Sequence, residues 1–152
     1  MNAIQVLQAG RRYLKSLVDD LSESQLTLIP NGYNNNVLWH LGHLVAIQQA
    51  LHYRRAGLPM YIDDVFMERF DKDSSPRRWN AKPDVGEIMR LLTDLPDRLL
   101  ADYEAGKFIG PYDGFTTRSG FSLKTVEDAF LFNNFHEGIH TGNVMAMKKA
   151  LR

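Results

Sequence analysis

The stretch NNFHEGIHTGNVMAMKKAL, residues 133–151, decides how this chain is read. Counted back one turn from its start, Ala129, Phe132, Asn133, His136, His140, Asn143 and Met147 share one helical face at about 100° per residue. His136 and His140 stand at i and i+4, so their imidazoles lie about one turn apart on that face. Two imidazoles so placed can fill neighbouring positions around one metal ion. The same spacing also occurs where a helix half-buries two polar groups. A purely structural face would more often carry Leu, Ile and Val.

A second stretch has the same look: NNNVLWHLGHLVAIQQAL, residues 34–51. Asn34 to Asn36 offer capping side chains, and Gly57 and Pro59 stop the helix near Ala56. Trp39, His43, Ile47 and Ala50 fall on one face, with His40 at its edge. His43 is the natural third ligand. Three neutral imidazoles with one open position form a known kind of catalytic metal site. The alternative is a core histidine hydrogen-bonded to a neighbour. His40 is a fourth ligand, a group behind a ligand, a proton shuttle, or a partly exposed histidine packed on Trp39. His52 lies off this face and reads as a surface residue. Glu137 points about 100° away from His136 and is placed to anchor a neighbouring helix.

The remaining periodicity predicts two more long helices. Residues 2–21 carry Ile4, Leu7, Tyr13, Leu14, Leu17, Val18 and Leu21, with Arg11, Arg12, Lys15 and Asp19 between them. Residues 85–104, capped by Asp84, carry Ile88, Leu91, Leu92, Leu95, Leu99 and Leu100, and Pro96 should kink or break that run. Thr125 opens the last helix with Asp128 in capping-box spacing. Residues 57–83 and 106–121 are too long for plain interhelical turns, and DDVFMERF within the first reads as a turn or two of helix. The expected fold is all-α: an antiparallel four-helix bundle with two long connections, one domain over residues 1–152. Gly138 and Gly142 each cost the last helix about 1 kcal/mol relative to alanine. They imply close approach of another backbone, from the first helix or from a partner subunit in a homodimer.

Eighteen basic residues balance eighteen acidic ones, which argues against nucleic acid as a partner. No apolar run approaches the roughly 20 residues of a bilayer span, and no signal-peptide pattern opens the chain. The expectation is a cytoplasmic protein acting on a small molecule. There is no cysteine, so histidines and carboxylates must hold any metal, and any thiol must come from solution.

NNNVLWHLGHL (34–44) and FHEGIHTGN (135–143), joined through a helix and long loops, resemble the DinB-like superfamily of metal-binding four-helix bundles. The resemblance implies that one histidine of the second long helix and the His-x-x-x-His pair of the last bind a divalent metal, nickel or zinc. The pair maps onto His136 and His140. The third ligand maps onto His43 through Gly42-His43-Leu44, with His40 as the competing alignment. The resemblance further implies transfer or isomerisation with a low-molecular-weight thiol such as bacillithiol or mycothiol. The two long connections would form the mouth, with Tyr33, Asn34, Trp39, Asn133 and Asn143 as pocket candidates. The rival readings are a metal-dependent hydrolase using metal-bound hydroxide and a non-catalytic metal-binding stress-response module.

Overall fold

The computed structural model describes residues 2–151. Helix α1 spans Asn2–Val18, α2 Glu23–Thr27, α3 Val37–His52, α4 Asp64–Phe70, α5 Val85–Glu104 and α6 Val126–Ala150. Strands β1 (Phe115–Thr116) and β2 (Ser122–Leu123) pair as a small antiparallel hairpin between α5 and α6. The four long helices form the bundle. Three of them, α3, α5 and α6, are capped at their starts as the sequence predicts. Asn36 Oδ1 accepts from the Trp39 amide, Asp84 from the Glu87 amide, and Thr125 and Asp128 close a reciprocal capping box. The first helix is shorter than expected. It ends at Val18, and Ser22 opens α2 with a capping box of its own to Gln25.

The antiparallel packing holds within two pairs. In α3/α6, His40 meets His140 while His52 meets Phe130; in α1/α5, Gln8 bonds Asp97 while Arg11 reaches Leu92. Between the pairs, neighbours run the same way. Ala3, Arg11 and Leu17 of α1 bond Asn134, Glu137 and Lys148 of α6 in ascending order. Likewise α3 runs alongside α5, with Tyr53 on Asp102 at one end.

This direction explains the length of the first connection. α3 and α5 are parallel neighbours, so the chain must climb back along the 16-residue α3, about 24 Å at 1.5 Å per residue. It leaves the end where Tyr61 bonds Asp102. It passes Gly42, against which the Phe70 ring is packed, and arrives where Lys82 pairs with Glu23. The climb is what brings Phe70 to the middle of α3. A Cβ on Gly42 would meet the Phe70 ring at 2.4 Å, so glycine is the residue that lets α4 lie there.

Every residue of α3 is buried except Ile47 and Ala50, which are half-buried. A helix apolar nearly all round is one enclosed by its neighbours. That corrects the reading of His52 as a surface residue: it is fully buried, edge-on to Phe130.

Arg11 is a second correction. The sequence places it among the charged residues between the apolar positions of α1, yet it is fully buried and touches all three other long helices. Its Nε and Nη2 donate to Glu137 of α6 at 2.6 and 2.7 Å, Nη2 donates to the Leu44 carbonyl of α3 at 2.8 Å, and Nη1 to the Leu92 carbonyl of α5 at 3.3 Å. The last contact explains why α5 runs unbroken through Pro96. Proline has no N–H for the carbonyl four residues back, and that carbonyl, of Leu92, takes a guanidinium N–H instead. The expected role of Glu137 as an anchor for a neighbouring helix is what the pair provides.

Tyr13, expected on the buried stripe of α1, is 51% exposed. Nothing lies within 4 Å of where a Cβ would stand on Gly138 or Gly142, so α1 does not press against them. They line an apolar groove between α1 and α6 with Val6, Gly10, Tyr13 and Met145. Among the described residues no helix is long and apolar enough to cross a membrane.

Candidate metal centre

α3 and α6 bring His43, His136 and His140 together. Each offers one ring nitrogen, and these three nitrogens lie within 4.8 Å of one another. His43 is buried; His136 and His140 are half-buried, so the cluster opens on the α6 side. Three hydrogen-bonding arrangements decide which nitrogen each ring presents.

A carbonyl only accepts, so the 2.7 Å contact between His43 Nδ1 and the Phe70 carbonyl makes Nδ1 the protonated nitrogen. Nε2 of His43 is therefore left with a free lone pair. The Trp39 indole is stacked on His43, with ring centroids 4.5 Å apart and planes at 12°, and fixes the ring from the side. Trp39 is held in turn by its Nε1–H on Ser74 Oγ at 2.8 Å. Phe70, which bonds His43, and Ser74, which holds Trp39 against it, both come from the crossover connection. A backbone carbonyl behind a ligating imidazole is the usual means of fixing its tautomer and raising its basicity.

His140 is fixed from behind by His40. Their Nδ1 atoms are 2.7 Å apart. The Nε2 atoms of His140 and His136 then face each other at 3.1 Å. That separation is close to the roughly 3.3 Å edge expected between two nitrogens about 2.05 Å from one tetrahedral zinc. For both Nε2 atoms to carry lone pairs, His140 Nδ1–H must donate to His40 Nδ1, which fixes His40 as the Nε2–H tautomer. His40 thus stands behind the cluster rather than in it. It is buried, not partly exposed, with its ring edge-on to Trp39 at 5.2 Å. Nδ1 of His136 is buried and has no partner among the described residues.

Burial keeps these rings neutral. It pushes His40 down to about 4, with the neighbouring His43 adding repulsion. His136 falls to about 3 and His140 to about 2, chiefly through burial and then through the adjacent histidines and Arg11. Burial also lowers His43, against the pull of the Phe70 carbonyl and the Asp71 carboxylate. Neutral imidazole is the ligand form, so the donor chemistry fits a divalent transition metal.

The other predicted pocket residues divide. Trp39 is at the cluster. Asn133 is fully buried one turn before His136, with Nδ2 donating to Glu137 Oε1 at 3.4 Å. Asn143 is half-buried and donates to the Ile139 carbonyl. Tyr33 packs half-buried on the main apolar core, and Asn34 is exposed; neither hydrogen-bonds a cluster histidine. The first connection reaches the histidines through Phe70 and Ser74. The second packs Tyr112, Phe115 and Leu123 around Leu51 and Ala129, with Ile47 and Phe132 beside them. Ile47 and Phe132 lie one helical turn from His43 and His136. A cleft of about 490 Å³ lined by Arg69, Asp71, Ser74, Arg78 and Trp79 lies along the crossover and includes none of the histidines.

Sequence reasoning did not find the Phe70 carbonyl, since a backbone acceptor has no residue signature. The available signal was Gly42, a helix-interior glycine beside the histidine.

The sequence pattern of the DinB superfamily matches residues 7–144. No curated protein matches the chain. Among solved structures, YfiT from Bacillus subtilis is described as a probable metal-dependent hydrolase with an unusual four-helix bundle topology. It shares 21% identity and a TM-score of 0.61, over 97% of this chain and 85% of that one. At that identity the likeness speaks for the fold. A match that runs from the first long helix into the last, carried on a bundle of the same architecture, means that the chain belongs to the DinB superfamily.

Proposed function

We propose that the chain is a metal-dependent enzyme in which His43, His136 and His140 hold one divalent ion, zinc or nickel, and that it joins a small thiol to an electrophilic small molecule: the thiol proton passes to water, the sulfur bonds the electrophilic carbon, and that carbon's leaving group departs with the displaced electron pair. The observation that carries this reading is the convergence of three ring nitrogens within 4.8 Å, with no carboxylate among them; burial, which lowers the pKa of all three, favours the neutral ligand form. Once bound, the ion would supply the Lewis-acid charge that lowers the pKa of a small ligand in the open position. Neutral donors leave that charge uncancelled, which favours an anion there, and thiolate suits zinc or nickel better than carboxylate does. With no cysteine in the chain, the thiol comes as a co-substrate. The chain's own residues orient and shield. Phe70 and Trp39 fix His43, and His40 fixes His140. Ile47, Phe132 and Phe115 offer an apolar flank to the electrophile on one side of the histidines, and Asn143 stands on the other side, one turn beyond His140.

The second reading is a hydrolase that places water rather than thiol in the open position. The likeness to YfiT, itself described as a probable metal-dependent hydrolase, favours it. A non-catalytic metal-binding module is the third.

Purified protein should carry about one divalent ion per chain. His43→Ala, His136→Ala and His140→Ala should each lose it, whereas His40→Ala should keep it with affinity lower by about ten- to a hundredfold, the usual effect of removing the group behind a ligand. Full metal content in His136→Ala would sink the site. The thiol is tested by titrating cobalt- or nickel-loaded protein with bacillithiol and mycothiol and reading a sulfur-to-metal charge-transfer band. A band with thiol-dependent turnover of model electrophiles supports the transferase. Thiol-independent hydrolysis without a band moves the assignment to the hydrolase, and metal binding with no reaction to the module.

No described residue lies within 4 Å of a Cβ built on the glycines of the α1/α6 groove, and we propose that a second copy covers them. Light scattering that shows a monomer at micromolar concentration would remove the homodimer.

A further inference from the structure

Beneath the histidine cluster lies a second polar layer that the fold does not explain. Arg11, Gln48, His52 and Asn133 are each fully buried, and Glu137 nearly so. Arg11 and Glu137 satisfy one another. The rest do not. Gln48 Oε1 and Nε2, both ring nitrogens of His52, Asn133 Oδ1 and His136 Nδ1 are buried and have no hydrogen-bond partner among the described residues. Burial, opposed by the nearby Ala129 carbonyl, leaves the His52 pKa lowered to about 3, but no ring nitrogen reaches that carbonyl with hydrogen-bonding geometry.

These groups are neighbours. Gln48 and His52 are one turn apart on α3, and Asn133 and His136 one turn apart on α6. Helical side chains lean over the preceding turn. Asn133 therefore covers the turn at Ala129 and Phe130, where the His52 ring is seated 5.0 Å from the Phe130 ring. Gln48 leans toward Leu44, whose carbonyl takes the Arg11 guanidinium. Left dry, six such atoms would cost free energy comparable to the whole stability of a domain. A polar cavity with two to four partners is where proteins keep internal water.

We propose that this layer is a built site for ordered water, and that one of its waters bridges Asn133 Oδ1 to the Nδ1–H of His136, making Asn133 a positioning residue for that ligand. The chain of contacts then runs from His136 through water to Asn133, from Asn133 Nδ2 to Glu137, and from Glu137 to Arg11. It completes a pattern. His43 is backed by a carbonyl and His140 by His40; His136 is backed by water. The positioning role rests on the metal reading above, whereas the water site does not.

Two measurements separate them. A crystal structure of the metal-free protein at atomic resolution should show water within hydrogen-bond distance of both Asn133 Oδ1 and His136 Nδ1, and further water on Gln48 and His52. A dry layer, or a direct bond from His136 Nδ1 to a carbonyl, overturns the water site. In solution, chelator competition for zinc should find Asn133→Leu weaker by about ten- to a hundredfold. Asn133→Ser, whose neutral hydroxyl can both accept from the water and donate toward Glu137, should recover most of the affinity. The cobalt-substituted Asn133→Leu protein should also show a shifted ligand-field spectrum. Unchanged affinity and spectrum in Asn133→Leu overturn the positioning role. A wild type that binds no zinc sinks the metal reading and this role together, and leaves the crystallographic result to decide the water site alone.

Discussion

Arg11→Met should destabilise the protein by about 3–5 kcal/mol, the usual cost of removing one partner of a buried ion pair. The reason is what stays behind. Glu137 is 7% exposed and accepts two N–H groups from the guanidinium, so methionine leaves a carboxylate in the core without its cation. The Leu92 carbonyl loses the guanidinium N–H that stands in for the one Pro96 lacks. Methionine fills much of the space, which limits the effect of a cavity and makes the electrostatic part visible. The double variant Arg11→Met/Glu137→Leu removes both charges, and buried pairs so replaced are often neutral or more stable. Urea denaturation of both variants checks this. A loss below about 1 kcal/mol in Arg11→Met would show that the pair does not pin the four helices.

The same residue shows where sequence patterning stops. The four long helices, their caps at Asn36, Asp84 and Thr125, and the histidines of α3 and α6 follow from spacing and residue type, which act locally. Arg11 does not, because its partner stands 126 positions away and a guanidinium is counted as polar until its carboxylate is known. His52 fails for a related reason. Judging a residue by its helical face presumes that the helix has an outer face, and α3 has almost none. The directions of the helices are also hidden in the pattern, and with them the crossover that lays Phe70 on Gly42. The candidate site was therefore legible as a set of side chains. The groups that orient them were not, since these are a backbone carbonyl, a tautomer and a buried amide.

The metal-free protein should unfold cooperatively on acidification, with a midpoint near pH 5 (about 1.5 units below the 6.5 of a free imidazole). All five histidines are held below that value by burial: His40 to about 4, His52 and His136 to about 3, His140 to about 2, and His43 in the same direction. Below pH 6.5 the unfolded chain takes up protons that the native chain refuses, so stability falls as pH falls and continues to fall until the folded values are reached. Each such histidine contributes a slope of roughly 1.4 kcal/mol per pH unit. By pH 5 that is about 2 kcal/mol each, and four of them together approach the roughly 5–15 kcal/mol that holds a domain folded. Unperturbed carboxylates titrate near 4, so this early limb belongs to the histidines. His136 and His140 are half-buried, and local opening would let them protonate before the core gives way. With the second tryptophan replaced (Trp79→Phe), Trp39, stacked on His43, separates the two events, because its fluorescence reports the cluster while far-ultraviolet circular dichroism reports the helices. A divalent ion competes with protons for the same nitrogens and stabilises only the folded chain. Zinc- or nickel-loaded protein should then keep its helices to lower pH than chelator-treated protein, by a margin that grows with metal concentration. If the chelator-treated protein holds its helices to pH 4, the histidines are not buried neutral in the core. If its midpoint is unmoved by added metal, the three nitrogens do not bind it.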